Sequence, residues 1–167
     1  DRADGRSILG WFDGRLAANL RLWDALDLGL LAPFQYFGVY DGTDLTAVDF
    51  RAGRYDVSSL ERVYTADEVR TKAVLRAVGA YVRRTSQMRA LGFCVSVRHA
   101  EYTAEMFRRA GFGAVAVHGD SSEDDRTGAL RALRDGSVQA VFTVDLFNEG
   151  VDIPSVDTVL FLRPTES

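Results

Sequence analysis

From Phe93 to Leu162 the chain repeats one unit: a short apolar run rich in valine, then an amphipathic stretch of helical period, with glycine or serine at the joins. This spacing predicts strands over Phe93–Val97, Ala114–His118, Gln139–Val144 and Thr158–Leu162, with helices over about Ala100–Ala110 and about Glu123–Arg134 between the first three. Runs that are apolar at consecutive positions are buried on both faces, and strands separated by helices cannot pair as hairpins. The pattern calls for an α/β fold of three layers, a parallel sheet with helices on both faces and right-handed crossovers. Local chemistry agrees with the boundaries. Gly111 and Gly136 stand where helix ends take a left-handed residue, and Ser122 or Ser121 is placed to cap the helix opened by Glu123, Asp124 and Asp125. Arg131 and Arg134 in its last turn complement its dipole.

In such sheets ligands gather at the carboxyl ends of the strands. Those ends are polar here: Ser96, Arg98 and His99 after the first strand, His118, Gly119 and Asp120 after the second, Asp145 through Asp152 after the third. In the last of these, FTVDLFNEGVDIP, a buried strand stops at once in Asp145, Asn148, Glu149, Gly150 and Asp152, and Gly150 lets backbone approach a flat or charged partner. Taken singly, each has a plain structural reading: His99 or His118 as a cap or satisfied surface side chain, the loop as a solvated acidic connection. Converging on one edge, they read as a binding rim.

Upstream the pattern is less regular. Residues 1–14 read as loop with one helical turn, anchored by Trp11 and Phe12. Leu16, Leu20, Trp23 and Leu26 predict a helix over Arg15–Leu28, ended by Gly29. The aromatic run FQYFGVY predicts a strand over Phe34–Tyr40, Asp41-Gly42 a turn, and Leu45–Phe50 a second short strand. A connector follows with a short helix near Ser59–Val63, then a long helix from about Ala66 to Leu91, its dry side marked by Val69, Ala73, Val74, Ala77, Val78 and Tyr81, and its wet side by Arg70, Arg76, Arg83, Arg84 and Arg89. Residues 1–60 thus read as an accessory or interdomain segment of helix and short strands, and 61–167 as the α/β domain.

With 167 residues, 47% of them hydrophobic, the chain suffices for one well-buried core with an appendage. A net charge of −4 gives no domain-wide basic footprint, so any contact with nucleic acid must be local. Lys72, the only lysine, follows Thr71, so no Gly-Lys-Ser/Thr phosphate loop is present. Cys94 is the only cysteine and reads as a small core residue; no Cys or His spacing suggests a metal site. No apolar run approaches the length of about eighteen residues that spans a bilayer, which predicts a soluble, cytoplasmic protein with no membrane partner. Beginning at Asp1 and ending just past a strand-like run, the chain reads as cut from something longer.

The series GFCVSVRHA, AVHGDSSEDDR and FTVDLFNEGVDIPSVDTVLFLRPTES, between Gly92 and Ser167, resembles motifs IV and V of the second RecA-like domain of superfamily two helicases, of bacterial DEAD/DEAH-box or restriction type. The opening DRADG resembles the stretch that follows their Ser/Thr-Ala-Thr motif. The resemblance implies a RecA-like sheet and, in the parent protein, ATP and magnesium held against a first RecA-like domain of the same chain while both domains move on a strand of DNA, RNA not being excluded. It implies that Ser96, Arg98, His99, Gly119, Asp120, Thr143, Asp145 and Asn148 face that strand, and that Glu149, Gly150 and Asp152 lie on the nucleotide side. In one respect the sequence departs from the family: aligned from Gly150, the threonine place holds Val144, with Thr143 one residue away. Because the phosphate loop and Asp-Glu box would precede Asp1 and the arginine-finger motif would follow Ser167, no catalytic residue is assigned. The chain alone is expected to hydrolyse no ATP and to hold no cofactor tightly. The competing reading is a non-catalytic doubly wound binding or dimerisation module. A Rossmann-type enzyme is disfavoured by Val97-Arg98-His99 standing where a glycine fingerprint belongs.

Overall fold

The computed structural model describes residues 7, 9–16, 18–46, 48–51, 54–66, 68–147 and 153–164. The chain divides into two compact units, residues 1–38 and 39–167. In the first, a 3₁₀ turn over Leu9–Phe12 precedes α1 (Leu22–Asp27), which ends as its sequence dictates: Gly29 takes φ +68 and its N–H donates to the Leu26 carbonyl. The helix predicted over Arg15–Leu28 loses its first half, because the stripe that predicted it finds no burial. Leu16, Leu20 and Trp23 are exposed, as are the expected anchors Trp11 and Phe12, and a short helix whose apolar face stays wet is marginal in water. Phe34–Tyr40 holds no strand either. Its aromatic residues suit a half-buried pleated surface, but Phe34, Tyr36 and Tyr40 face solvent.

In the second unit β1 (Phe50–Arg51) pairs antiparallel with β2 (Arg54–Tyr55), the rings of Phe50 and Tyr55 lying 4.8 Å apart, so the strand predicted over Leu45–Phe50 is displaced towards its end. Then α2 (Val57–Thr65) forms where a short helix was predicted, its first turn held by the Asp56 carboxylate, which accepts from the Ser59 N–H at 2.7 Å. Leu60 and Tyr64 bury one side of it with Val48. Next, α3 (Val69–Tyr81) stops far short of Leu91. The Val82 N–H closes the last turn on Val78, a 3₁₀ turn covers Thr85–Gln87, and β3 (Ala90–Phe93) begins. An apolar run such as Ala90-Leu91-Gly92-Phe93 fits helix and strand alike; pairing decides it.

That pairing is two-sided. The remaining elements are α4 (Val97–Arg109), β4 (Ala114–Val117), α5 (Glu123–Asp135), β5 (Ala140–Thr143) and β6 (Thr158–Phe161). The sheet runs β4-β5-β3-β6, all parallel, with Ala90 opposite both Ala140 and Thr158 and Ala114 opposite Ala140. On one face Phe142 and Ala140 pack with Val78 of α3 and Ala100, Ala104 and Phe107 of α4; on the other Leu91, Phe93 and Val141 pack with Ala129 and Leu133 of α5. This is the three-layer RecA-like arrangement, with β3 central. Gly92 is required there, since a Cβ would overlap the Phe142 ring. Cys94 is fully buried, and burial pushes its thiol up to about 12. Gly111 at φ +91 and Gly136 at φ +88 end their helices as predicted, and Ser122 caps α5 by accepting from the Asp125 N–H at 3.0 Å. Among the described residues no helix is long and apolar enough to cross a membrane.

Candidate functional site

Because the four strands are parallel, the turns after β3, β4, β5 and β6 share one edge. The early start of β3 changes what the first turn contains. The strand predicted to Val97 ends at Phe93, and α4 begins at Val97 rather than about Ala100. Ser96 therefore becomes the N-cap, its Oγ accepting from the His99 N–H at 3.1 Å, and His99 in turn accepts through Nδ1 from the Val95 N–H at 3.3 Å. The Ser96 hydroxyl thus caps the helix, while His99 in its first turn ties back to the residue before the cap. Both groups are buried, so the His99 ring, expected at the rim, lies beneath it. Burial, with Arg70 adding to it, lowers its pKa to about 4, and the ring is neutral at pH 7. What faces outward is the Arg98 side chain, 75% exposed and 3.8 Å from the Glu61 carboxylate of α2. The N–H groups of Val97 and Arg98, in the first turn of α4, have no intrahelical acceptor.

The turn after β4 is built from its own side chains. Ser121 Oγ accepts from the His118 N–H at 3.0 Å, the Ser121 N–H donates to the His118 carbonyl at 3.0 Å, and Arg126 Nε donates to the Ser121 carbonyl at 3.0 Å. This leaves Gly119 and Asp120 exposed at the tip. His118 stands between carboxylates, Nδ1 3.9 Å from Asp120 and Nε2 4.0 Å from Glu101.

Beyond β5 the backbone is strained. Asp145 has φ +52 and Phe147 φ +63, a region that aspartate tolerates and phenylalanine rarely adopts. Thr143, predicted to face a ligand, is fully buried, and its Oγ1 has no hydrogen-bond partner among the described residues. Burial follows from register: Thr143 is the last ladder residue of β5, opposite Phe93 and Val117. Asp145 does reach the rim, where it accepts from Arg163 Nη1 at 2.7 Å, a contact that joins the ends of β5 and β6 over β3. Sequence reasoning missed Arg163, because nothing local marks a pair separated by the whole β5–β6 connection. Asn148, Glu149, Gly150 and Asp152 lie outside the described residues.

The structure thus brings together Ser96, Arg98, Gly119, Asp120 and Asp145 along one edge, with Arg163 added and the His99 ring and Thr143 hydroxyl withdrawn below it. Basic groups stand over β3 and β6; Asp120 and the acidic first turn of α5 stand over β4. No three His, Cys, Asp or Glu side chains gather as a metal site among the described residues. The rim can bind through backbone N–H groups and single arginines.

The family model of the helicase conserved C-terminal domain matches residues 71–167. DEAD-box ATP-dependent RNA helicase 5 of Oryza sativa subsp. japonica is 32% identical over 109 residues, which cover 65% of this chain and 21% of that protein. IRC3 of Saccharomyces cerevisiae aligns with the whole chain at 22% identity, over 24% of its own length. Among solved structures, the Pyrococcus furiosus Hef helicase domain superposes with a TM-score of 0.51 at 18% identity, covering 64% of this chain and 23% of that one. The chain therefore spans less than a quarter of the length of the curated relatives it matches, from 14% to 24%.

Proposed function

The chain belongs to the helicase conserved C-terminal domain family, the second RecA-like domain of superfamily two helicases, and from that premise we propose that it is the second motor domain of an ATP-dependent helicase or translocase acting on nucleic acid in the cytoplasm. The observation that carries this reading is the single carboxyl edge that presents Arg98 and the open first turn of α4 beside the Asp145–Arg163 pair. A helix N-terminus offers N–H groups and a partial positive charge, and a guanidinium beside it completes a seat for a backbone phosphate. Such a contact grips a strand without reading its sequence. Gly119 would add a backbone N–H; Asp120, an acceptor only, would not hold phosphate.

On this reading DNA is the track, from the resemblance to restriction-type helicases. ATP with magnesium is bound between this domain and a first RecA-like domain of the same longer protein. Glu149, Gly150 and Asp152 would supply this domain's share of the nucleotide contacts, the carboxylate of Asp152 suiting a ribose hydroxyl. Residues 1–60 would serve as the accessory or interdomain segment.

The test uses the full-length protein. Arg98→Ala should weaken single-strand binding several-fold and reduce the slope of log affinity against log salt by about 1, with nucleotide affinity unchanged. Anisotropy titrations on DNA and RNA of one sequence give both quantities. An unchanged slope on both would overturn the phosphate contact, and tighter binding to RNA would reassign the track.

A further inference from the structure

The segment between Asp41 and Arg70, which the sequence reads as a turn, a short strand, a connector with a short helix and the start of a long helix, is built against the turn that carries Arg98. Arg70 lays its guanidinium 3.6 Å from the centroid of the Tyr64 ring. It is held there by the Asp41 carboxylate at 2.8 Å and by Thr43 Oγ1, which accepts from Arg70 Nη1 at 2.6 Å. Asp41 is itself fixed, its carboxylate accepting from the Thr43 N–H at 2.9 Å. The His99 ring lies 5.3 Å from the Tyr64 ring, tilted at 42° to it, and both residues are 2% exposed. His99 reaches the turn twice, through Nδ1 to the Val95 N–H and through its own N–H to Ser96 Oγ, while Thr103 Oγ1 donates to its carbonyl at 2.8 Å. Contacts thus run from Asp41 and Thr43 through Arg70 and Tyr64 to His99, which holds the residues that precede and cap α4.

We propose that Arg70, Tyr64 and His99 form a positioning stack that sets the β3–α4 turn for its contact with a nucleic-acid phosphate, which makes residues 41–70 part of the strand grip. This rests on the phosphate contact inferred above. The stack touches no ligand; it acts through Val95 and Ser96 on the direction of the first turn of α4 and of Arg98. Phosphate binding by N–H groups and a guanidinium depends on donor direction as well as distance, so a turn released from its cap keeps its charge and loses its aim.

In the full-length protein, His99→Leu and Arg70→Gln should each weaken single-stranded DNA binding by about tenfold, the scale of one charge-assisted hydrogen bond, and leave affinity for a fluorescent ATP analogue unchanged. His99→Asn, which keeps an acceptor near the place of Nδ1, should recover most of the loss. Combined with Arg98→Ala, either damaging variant should cost less than the product of the two single effects, because both act on one contact. Strict additivity, or no loss for Arg70→Gln, would overturn the stack; if His99→Leu fails to fold, the cycle is run with Arg70→Gln, whose side chain is nearer the surface. If Arg98→Ala alone leaves binding intact, the phosphate contact fails and the stack falls with it; if Arg98→Ala weakens binding and the stack variants do not, the stack alone is wrong.

Discussion

Acidification should destabilise this fold through one residue. His99 titrates at about 4 in the native protein, against about 6.5 in an unfolded chain. Between those values the unfolded state binds a proton that the native state refuses, so stability is fully present above pH 6.5 and is lost as pH falls towards 4. The loss between pH 7 and pH 5 is about 2 kcal/mol, with a slope near pH 5.5 of about 1.2 kcal/mol per pH unit. The exposed carboxylates whose pKa is lowered by hydrogen bonds or partners, Asp44, Glu68, Glu105 and Asp135, titrate below this window and alike in any variant of His99. The assay is urea unfolding at pH 7, 6, 5.5 and 5 for the parent chain and for His99→Asn, which keeps an acceptor and does not titrate. Far-UV circular dichroism is the right probe, because it follows the helices of the second unit, whereas both tryptophans, Trp11 and Trp23, lie in the first. The parent should lose about 2 kcal/mol more than the variant from pH 7 to 5, at equal m-values. Parallel curves would mean that the imidazole titrates equally in both states, and the account of a buried neutral acceptor beneath the rim would be refuted.

Other substitutions separate the remaining elements of the reading. Glu61→Gln removes the carboxylate 3.8 Å from Arg98 and should tighten single-strand binding about twofold, opposite in sign to Arg98→Ala, as befits an exposed pair of small energy; weaker binding would show that Glu61 supports the contact. Gly92→Ala places a methyl group into the Phe142 ring and should cost about 1–3 kcal/mol in urea unfolding, with Phe142→Leu restoring part of it; a neutral effect would mean that the centre of the sheet is looser than its geometry. In the intact protein Asp152→Ala and Gly150→Val should lower ATP turnover more than DNA affinity, and the 167-residue chain alone should turn over no ATP when DNA is added; the reverse ranking, or turnover by the chain alone, would count against the division of labour between the two domains.

The elements that could be read from sequence are those whose signals are local. The valine runs of β4 and β5, the period of α4 and α5, Gly136 after α5 and Ser122 before it each act within a few residues, and the fold class follows from their order. Where the reading slipped, a distant partner decided. Ala90–Phe93 contains no β-branched residue and continues the period of α3; it becomes a strand because β5 and β6 flank it. Conversely, Leu16, Leu20 and Trp23, and the aromatic run from Phe34, have the pattern of buried elements and lack the burial that gives such patterns their energy. The three-residue displacement of β3 then propagates to the site. It turns Ser96 from a strand end into a cap, moves the His99 ring under the rim, and leaves Arg98 as the outward group.

That displacement also orders the edge electrically. With the strands in the order β4-β5-β3-β6, Arg98 and Arg163 stand at the ends of the adjacent strands β3 and β6, while Asp120 and the Glu123–Asp125 turn stand at the far end, over β4. With a net charge of −4 the chain attracts a polyanion through local basic groups rather than through its overall field. A phosphate backbone that reached Gly119 after β4 would also meet the carboxylates of Asp120 and the first turn of α5, screened over a Debye length of about 8 Å; laid across β3 it would meet α4 by its positive end. On the proposed phosphate contact, the carboxylates of Asp120 and its neighbours would limit where a strand can lie, and reversing their charge should widen the binding site as surely as losing Arg98 weakens it.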